Sequence, residues 1–558
     1  MASTPPHTGS LYTRPKYTMC DGDTLELVKQ VDGVTGLQEF SPTRDGAAEK
    51  CPDARRVAPI RDSVWWQYLV LEETQALMGS DASRVGLIFS SLVTPTTRQP
   101  IIPPSNHINM KQRDNYIFLT QAPVHKVILT MAVPTIISML VTSFYNMADT
   151  FFVSKINTQC TAAVGIVFSI MSVIQAIGFF FGHGSGNFMS RKLGARQLAE
   201  ARTMSATGFT YSLSFGVLIA IAGHLLLTDL AVWLGSTPTI LPYAKQYLGI
   251  VLLGAPFMTA SLTMNNQMRF QGNAAYAMYG ILTGAVLNVA LDALLIFGFG
   301  MGIAGAAWAT VISQGCSFGI LLYMTRKNGG IRINLRHFTP KLSYVKEIIF
   351  GGTPSLSRQG LAAISTIALN LSAGVYGDAA IAGMSIVTRF CFFIFAIIIG
   401  LGQGFQPLCG FCYGAKLYAR VKEGFTYCIK IGTCFLAVCA VAGFAFAPDI
   451  VAMFRHDPEV VAVGSAAMRW QMVTFVLLPT IGLTNMLMQT IRKPIRANLV
   501  AAARSGLFFI PLVIVLPRYF GLMGVEMCQA CSDVCSFAIC VPIAWTAFGE
   551  MKRELAQR

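Results

Sequence analysis

The feature that most constrains this chain is a series of long segments without charged residues. Residues 156–190 contain no Asp, Glu, Lys or Arg, and residues 270–325 contain only Asp292. A helix needs about 20 apolar residues to cross the ~30 Å hydrocarbon core of a bilayer. Only 12% of the 558 residues are charged, against about 25% in soluble domains. We therefore predict an integral membrane protein and exclude an ordinary water-soluble enzyme.

The same length criterion, applied to every apolar segment, predicts twelve transmembrane helices and an all-α fold. The approximate ranges are 126–153, 160–186, 202–227, 242–267, 274–298, 303–325, 345–373, 380–408, 424–447, 461–490, 497–517 and 521–548. The glycines at 300, 302 and 305 have the spacing of a dinucleotide-binding loop, but no strand precedes them. They predict a tight turn between two helices.

The apolar part of the chain is duplicated. An alignment of the chain with itself that pairs Pro134 with Pro354 also pairs Ala162 with Ala382, Gly182 with Gly402 and Gly184 with Gly404. Each half has six predicted helices, so both halves enter the membrane from the same side and form parallel repeats. We predict an N-lobe over 110–325, an interlobe loop over 326–344, a C-lobe over 345–548 and a tail over 549–558. Two lobes around a central cleft are typical of a transporter.

The segment 1–109 differs from the rest of the chain because it is polar and has no helical period. It lacks the features of a signal peptide. We expect this segment to be disordered, or an extension produced by a misassigned gene start, with Met110 as the natural first residue. The alternative is a small regulatory domain, which so little apolar sequence disfavours.

The formal net charge of +15 comes mainly from loops between the apolar segments. Basic residues concentrate before the first helix, after each even-numbered helix and at the C terminus. The opposite side carries only Lys155, Lys245, Arg455, Arg469 and Arg518. The positive-inside rule then predicts a multi-pass protein of the bacterial cytoplasmic (inner) membrane with both termini in the cytoplasm. This pattern indicates contact with membrane lipid and no nucleic-acid partner.

Two cysteine pairs, Cys409 with Cys412 and Cys528 with Cys531, have zinc-like spacing. Each pair lies in apolar sequence without a matching His or Cys pair at loop positions, so we predict packing, no disulfide framework and no transition-metal site. No phosphate-binding loop of the ATPase type occurs in the sequence, which argues against ATP as the energy source.

Ionisable residues within apolar segments are costly to bury and are therefore candidates for function. In the first half these are Asp149 and Asp292. Tyr145 lies four residues before Asp149, and Asn288 four before Asp292, so each pair shares a helix face. With Thr310, such side chains could bind a hard monovalent cation, or a carboxylate could accept a proton. Alternatively, these groups only join helices by hydrogen bonds.

The second half has Arg358, Arg389, Arg504, Glu526 and Asp533 in its helices. We expect Asp533 or Glu526 to pair with one of the arginines. His183, near Arg191, is predicted to be a loop residue at a helix end and not a proton relay.

Proline lies inside four predicted helices, at Pro134, Pro256, Pro354 and Pro479. Each removes an intrahelical hydrogen bond and permits a kink. Pro134 is the preferred candidate for a hinge because Asp149 lies on the same helix, whereas a static kink is the simpler interpretation of the other three.

Several segments resemble the bacterial branch of the multidrug and toxic compound extrusion (MATE) family. They are residues 132–138 (AVPTIIS), 144–153 (FYNMADTFFV), 269–273 (RFQGN), 288–292 (NVALD) and 302–310 (GIAGAAWAT), and the resemblance extends over residues 120–548. It implies export of amphipathic, often cationic, drugs driven by a cation gradient.

The resemblance also implies roles for particular residues. Asp149, Asn288, Asp292 and Thr310 would form a site for H⁺ or Na⁺, with Tyr145 and Asn146 beside it. Met139 and Asn265 would lie near substrate. Acids that some family members carry on the seventh and tenth helices have no counterpart here, since Ser357-Arg358-Gln359 and Thr480-Ile-Gly-Leu-Thr occupy those regions. Ion coupling through the C-lobe is therefore not expected.

We predict a monomeric antiporter that exports small amphipathic or cationic drugs in exchange for H⁺ or Na⁺, without a cofactor and without enzymatic activity. A cation at Asp149 and Asp292 would favour the inward-open form, which must then bind that ion more tightly. The alternative is a flippase for lipid-linked saccharides, which should have a more basic cleft. A receptor or scaffold that moves no substrate is the rival from another class.

Overall fold

Long helices make up almost all of the described chain. The computed structural model describes residues 110–327 and 330–557, and these contain no β-strand. The first half comprises α1 (Met110–Gln121), α2 (Val124–Ser154), α3 (Thr158–Gly194), α4 (Leu198–Leu225), α5 (Leu227–Trp233), α6 (Leu241–Phe270), α7 (Ala274–Ala293) and α8 (Gly302–Lys327). The extension at 1–109 lies outside the described residues.

The second half repeats this order. It comprises α9 (Leu342–Gly374), α10 (Asp378–Gly414), α11 (Tyr418–Ala445), α12 (Ala447–Phe454), α13 (Pro458–Phe475), α14 (Leu478–Thr490), α15 (Pro494–Ala502), α16 (Phe509–Phe520) and α17 (Leu522–Ala556). One π-helical turn extends α7 over Leu294–Gly298 and another joins α15 to α16 over Ala503–Leu507. The segment between the halves contains a short 3-10 turn, Leu335–His337.

The all-α membrane fold is confirmed, whereas the count of twelve spans is not. In the described residues ten helices are long and apolar enough to cross a bilayer, and a bent pair, α13 with α14, would be the eleventh. The predicted seventh span corresponds to α9, which is not among them. Arg358, Gln359 and several serines lie along its middle and lower its hydropathy.

The four prolines lie in helices, as predicted. Pro134, Pro256 and Pro354 are inside α2, α6 and α9. Pro479 is in the first turn of α14, just after a 57° bend between α13 and α14. Proline is tolerated in the first turn of a helix but disrupts its interior. The predicted tenth helix is therefore broken into two, and α14 begins at the bend, next to Pro479.

The structure retains the sequence repeat in its local geometry. The loops after α3 and α10 both place a non-glycine residue at positive φ, Arg196 at 59° and Lys416 at 63°. The Asn265 side chain donates to the Ala277 carbonyl, and Asn485, its counterpart in the second half, donates in the same way to Ala497. The two halves are therefore built on one plan.

The halves pack against each other through α2 with α10, α3 with α9, and α3 with α10. At the ends of α3 and α10 the two backbones come into direct contact. A Cβ at Gly194 would overlap the Phe411 carbonyl, and one at Gly414 would overlap the Arg191 carbonyl. Only glycine permits this approach, so the two halves are held close at the end that carries the basic loops.

The two cysteine pairs contribute to this packing in different degrees. Cys409 and Cys412 are fully buried in an apolar cluster formed by both halves, together with Phe405. Cys528 is buried in the core of the second half and Cys531 is partly exposed.

The close contact between α16 and α17 can be tested with Gly524→Ala in α17, where a Cβ would overlap the Leu516 backbone. We expect destabilisation of about 1–3 kcal/mol, typical of overpacking, seen as a lower midpoint of thermal unfolding of the purified protein. Gly549→Ala in the same helix is the control, because nothing lies within 4 Å of its Cβ position. Equal midpoints for the two variants would contradict this packing.

Candidate functional site

Four helices of the first half bring five polar side chains together, which we name the acid cluster. Its members are Asp149 on α2, Tyr247 on α6, Asn288 and Asp292 on α7, and Thr310 on α8. Asn288 Nδ2 lies 3.4 Å from Thr310 Oγ1. The Tyr247 hydroxyl donates to Asp149 Oδ2 at 3.5 Å, and the charges of Asp149 and Asp292 are close enough to act on each other. The structure thus joins residues that are far apart in the sequence.

The acid cluster contains more acceptor oxygens than donors. Asp292 is 0% exposed and Asn288 is 2% exposed. Within the described part of the chain, both carboxylate oxygens of Asp292, one of Asp149 and the Asn288 amide oxygen are buried without a hydrogen-bond partner. A buried carboxylate is stable only when it is protonated or paired with a cation. These oxygens could therefore bind a proton or a hard monovalent cation.

Tyr247 was not predicted from the sequence as a site residue. It is 0% exposed, its hydroxyl donates to Asp149, and the charges of both Asp149 and Asp292 act on it. A buried tyrosine hydroxyl normally has a hydrogen-bond partner. The sequence offered no signal for it, because one tyrosine near the start of an apolar helix is common.

A small cavity of about 50 Å³ lies beside the acid cluster, between α2, α3, α6, α7 and α8. Tyr145, Asn265, Asn288 and Thr310 contribute to its wall. The wall also includes polar residues that sequence analysis did not single out, namely Thr142, Gln175, Ser261, Ser313, Gln314 and Ser317. The cavity is therefore mainly lined by uncharged hydrogen-bonding groups and apolar side chains.

Three other predicted site residues are placed differently. Met139 is on α2 but does not line this cavity. Asn265 lines it, yet its amide nitrogen is used in the bond to Ala277 that the repeat duplicates at Asn485. The backbone of Asn146 is in α2, while its side chain lies outside the described residues. The structure thus gives Asn265 a role in helix packing.

The expected charge pair of the second half is present. Arg504 Nε donates to Asp533 Oδ1 at 2.8 Å, and Gln529 donates to the same oxygen at 2.9 Å. Asp533 is 2% exposed. The acid in this pair is therefore neutralised within the helix bundle, unlike those of the acid cluster.

A second polar group joins the two halves at the basic-loop end, and we name it the seam. It comprises His183, Asn187 and Arg191 on α3, Asn266 and Arg269 on α6, Glu347 and Ser355 on α9, Gln403 and Gln406 on α10, and Gln489 and Thr490 on α14. Arg269 donates to Gln403, Thr490 donates to Asn187 at 2.9 Å, and Arg191 donates to the Thr490 carbonyl at 2.9 Å. All three bonds cross from one half to the other.

The prediction that His183 is a loop residue is wrong. His183 is inside α3 and 1% exposed, because the helix continues to Gly194 through the glycine-rich segment that was predicted to end it. Arg269 Nη2 lies 3.2 Å from His183 Nε2, and Ser355 Oγ lies 2.9 Å from Nδ1. Arginine has only donors, so Nε2 is the acceptor and the neutral ring donates from Nδ1 to Ser355.

The seam has one cluster of ion pairs. Glu347 accepts from Arg191 at 2.9 Å through one oxygen and from Arg492 at 2.6 Å through the other. The side chains of Arg191 and Glu347 are 13% and 12% exposed, whereas Arg492 is 57% exposed. Since Arg191 and Glu347 belong to different halves, this pair holds the halves together.

The described residues contain no group of three or more His, Cys, Asp or Glu side chains that could hold a metal ion. The acid cluster offers only oxygen ligands, which suit hard cations and not transition metals.

An all-helical membrane fold, two repeated halves and a buried polar site define the class of a multi-pass membrane transporter. The sequence profile of the MatE family matches residues 134–294 and 354–515. These segments cover more than half of the chain and begin at Pro134 and Pro354, the residues that the repeat aligns. The chain belongs to the MatE family.

Individual relatives agree with this assignment. The chain is 28% identical over 429 residues to the multidrug export protein MepA of Staphylococcus haemolyticus (strain JCSC1435), covering 76% of this chain and 94% of the relative. It is 28% identical over 421 residues to the protein of the same name from Staphylococcus aureus (strain MSSA476), covering 75% and 92%. A solved structure of a multidrug resistance MATE family transporter in an outward-facing conformation shares 25% identity, with a TM-score of 0.74 over 78% of this chain and 98% of that chain.

The seam predicts that Glu347→Gln destabilises the protein, because it leaves the guanidinium of Arg191 without its carboxylate. We expect a loss on the order of 2 kcal/mol, between the values typical of exposed and buried pairs, measured as a lower midpoint of thermal unfolding. Glu200→Gln is the control, since Glu200 pairs with Lys192 at a more exposed position (42% and 28%). If both substitutions have the same small effect, Glu347 does not hold the halves together.

Proposed function

We propose that this protein is a cation-coupled exporter of amphipathic molecules. The observation that supports coupling most directly is the set of four unpartnered acceptor oxygens in the acid cluster. Two carboxylates that share a buried site repel each other, and the Tyr247 hydroxyl supplies a donor to only one of their four oxygens. A proton or Na⁺ entering from outside would remove that repulsion and supply the missing partner, so occupancy of the site would carry energy into the transport cycle.

The exported molecule is proposed to be a small amphipathic, often cationic, drug. The relatives from both staphylococci are named multidrug export proteins. The cavity beside the acid cluster combines apolar residues such as Met258 and Leu262 with amide and hydroxyl groups. At about 50 Å³ the cavity is smaller than the roughly 300 Å³ of a drug-sized pocket, so it must widen to admit a drug. Its flexible methionine side chain can repack around ligands of varied shape.

Coupling requires that the two ends of the protein respond to each other. Tyr247 of the acid cluster and Arg269 of the seam are both on α6. Their spacing in the sequence corresponds to roughly 33 Å along a helix. We propose that the seam closes the cytoplasmic side while the acid cluster is accessible from outside, and that ion binding favours the form in which the seam is open. Both termini would be cytoplasmic, in the inner membrane of a bacterium, as the basic loops predict.

The decisive experiment uses the full chain in lipid vesicles with ethidium as the exported dye. We expect a dye gradient to move protons or Na⁺ across the wild-type vesicles, and Asp292→Asn to reduce this movement to that of protein-free vesicles. Asp229→Asn, an exposed acid at the start of α5, should retain the flux.

The outcomes separate the alternatives. Equal flux in wild type and Asp292→Asn would refute the acid cluster as the coupling site. No dye response in any vesicle would favour the lipid-linked saccharide flippase, and a protein that moves neither dye nor lipid-linked saccharide would favour a scaffold.

A milder substitution tests the role of Tyr247. Tyr247→Phe removes the hydroxyl that donates to Asp149 and leaves the ring in place. A hydrogen bond of this kind contributes about 1 kcal/mol, so we expect roughly a five-fold change in the apparent affinity for the coupling ion. This affinity is obtained by measuring the dye flux over a range of concentrations of the coupling ion. Tyr243→Phe on the same helix is the control. An unchanged ion-dependence would show that Tyr247 only fills space.

A further inference from the structure

Two arginines, Arg269 of the seam and Arg358 on the adjoining part of α9, have no carboxylate partner in the described part of the chain. Arg269 is 2% exposed, and its partners are all neutral: Gln403, the Asn266 amide oxygen at 2.5 Å and His183 Nε2 at 3.2 Å. Arg358, on α9, makes no hydrogen bond or ion pair there. Glu347, on the same helix as Arg358, is already paired with Arg191, and Asp533 with Arg504. The guanidinium of Arg269 is therefore buried without a compensating negative charge, and the partly exposed guanidinium of Arg358 also lacks one.

The two guanidinium groups are neighbours across the boundary between the halves. Ser355, Arg358 and Gln359 are three and four residues apart, so they share one face of α9. Ser355 on that face bonds to His183, which in turn contacts Arg269. The charges of Arg269 and Arg358 act on each other and on His183. One pair of arginines, one from each half, thus flanks the same histidine.

Near these two arginines, buried hydrogen-bond donors outnumber the acceptors available to them. Arg269 Nε and the Gln359 amide nitrogen are buried donors without a partner in the described residues. An unpaired buried charge and unmet donors are each costly. A negatively charged acceptor would both compensate the charge and accept hydrogen bonds from these donors. The planar donors of arginine fit the two oxygens of a carboxylate or phosphate.

We propose that Arg269 and Arg358 form a binding site for an oxyanion, a carboxylate or a phosphate, carried by an amphipathic molecule. The source of the oxyanion is either an exported substrate or the headgroup of a membrane lipid. Arg358 is partly exposed and receives the oxyanion first, while Arg269 and the Gln359 amide complete the site from the other side. As a statement about substrates the inference rests on the proposed export function, since it adds zwitterionic and anionic amphiphiles to the cationic ones.

The test uses two forms of one dye with the purified full chain in detergent. Rhodamine B carries a free carboxylate, and its ethyl ester is the same dye without that charge. Fluorescence anisotropy titrations should show tighter binding of rhodamine B. Arg358→Gln should weaken rhodamine B binding about ten-fold, typical of a lost charge-assisted hydrogen bond, and leave the ester unchanged. Arg358→Lys keeps the charge but not the planar donors, so its affinity for rhodamine B should lie between those of the wild type and Arg358→Gln.

Arg358 is the better position to substitute because it makes no bond in the described residues, so its removal leaves no partner unmet. The matched control is Arg389→Gln, an exposed arginine within α10 that is not part of the pair. Its titrations with both dyes should equal those of the wild type. Arg269→Gln is not used alone, since Arg269 also bonds to Gln403 across the seam.

A second arm distinguishes the lipid source. The wild type and Arg358→Gln are transferred to nanodiscs that contain phosphatidylglycerol and phosphatidylcholine, and native mass spectrometry counts the phosphatidylglycerol molecules retained on release. Loss of one retained phosphatidylglycerol in the variant, without an effect on rhodamine B, supports the oxyanion site with a lipid in it. A carboxylate-selective effect on the dye supports an exported substrate.

If Arg358→Gln changes neither dye selectivity nor lipid retention, the proposal is overturned. Binding is measured without transport, so the result is independent of the vesicle experiment. Carboxylate-selective binding without ion-coupled flux would leave the oxyanion site intact and refute the exporter. Ion-coupled flux of ethidium without carboxylate selectivity would refute only the oxyanion site.

Discussion

Every polar side chain in a membrane-spanning helix must find its partner within the protein, because hydrocarbon supplies none. Most polar groups in this fold meet that requirement: Asp533 is paired with Arg504, and Asn265 and Asn485 each bond to the backbone of the following helix. Among the ionisable residues of the sites described above, the exceptions fall at two places. At the acid cluster acceptors are in excess, and around Arg269 and Arg358 donors are in excess. The sign of each excess indicates the ligand that would remove it, a cation in one case and an anion in the other.

The two exceptional places share the helix α6. Tyr247 lies near its first turns, the cavity residues Met258 and Ser261 lie in the middle, and Arg269 lies in its last turn. Pro256 interrupts the hydrogen bonds of this helix between the acid cluster and the cavity. A change in bend at Pro256 would therefore move Arg269 relative to Gln403 without breaking the packing around Tyr247. This makes α6 a better candidate for transmitting ion occupancy to the seam than α2, on which Pro134 was predicted as the hinge. Unlike α6, α2 contributes no side chain to the seam.

The sequence was sufficient to predict the helical membrane fold, the repeat and an ion pair between an arginine and one of the two acids of the second half, Asp533 or Glu526. Long uncharged segments and helix-face spacing carry that information directly. It was not sufficient for Tyr247 or His183, because their roles depend on contacts with Asp149 and Ser355, which are distant in the sequence. The exact span count also could not be decided, since Arg358 and Gln359 give α9 a polar middle that lowers its hydropathy. The family resemblance places Asn265 near substrate; in the structure it lines the cavity, and its amide nitrogen also donates to the Ala277 carbonyl.

The repeat also shows what the two halves do not share. In the alignment that pairs Pro134 with Pro354, Asp149 falls opposite Leu369 and Asp292 opposite Leu512, so both acids are replaced by apolar side chains. Leu369 is 6% exposed and packs in the core of the second half. Duplication therefore preserved the helix plan, whereas the two carboxylates of the acid cluster have no counterpart at the equivalent positions of the second half. Under the proposed coupling, neutralising those carboxylates therefore acts first on the helices of the first half, which carry both acids.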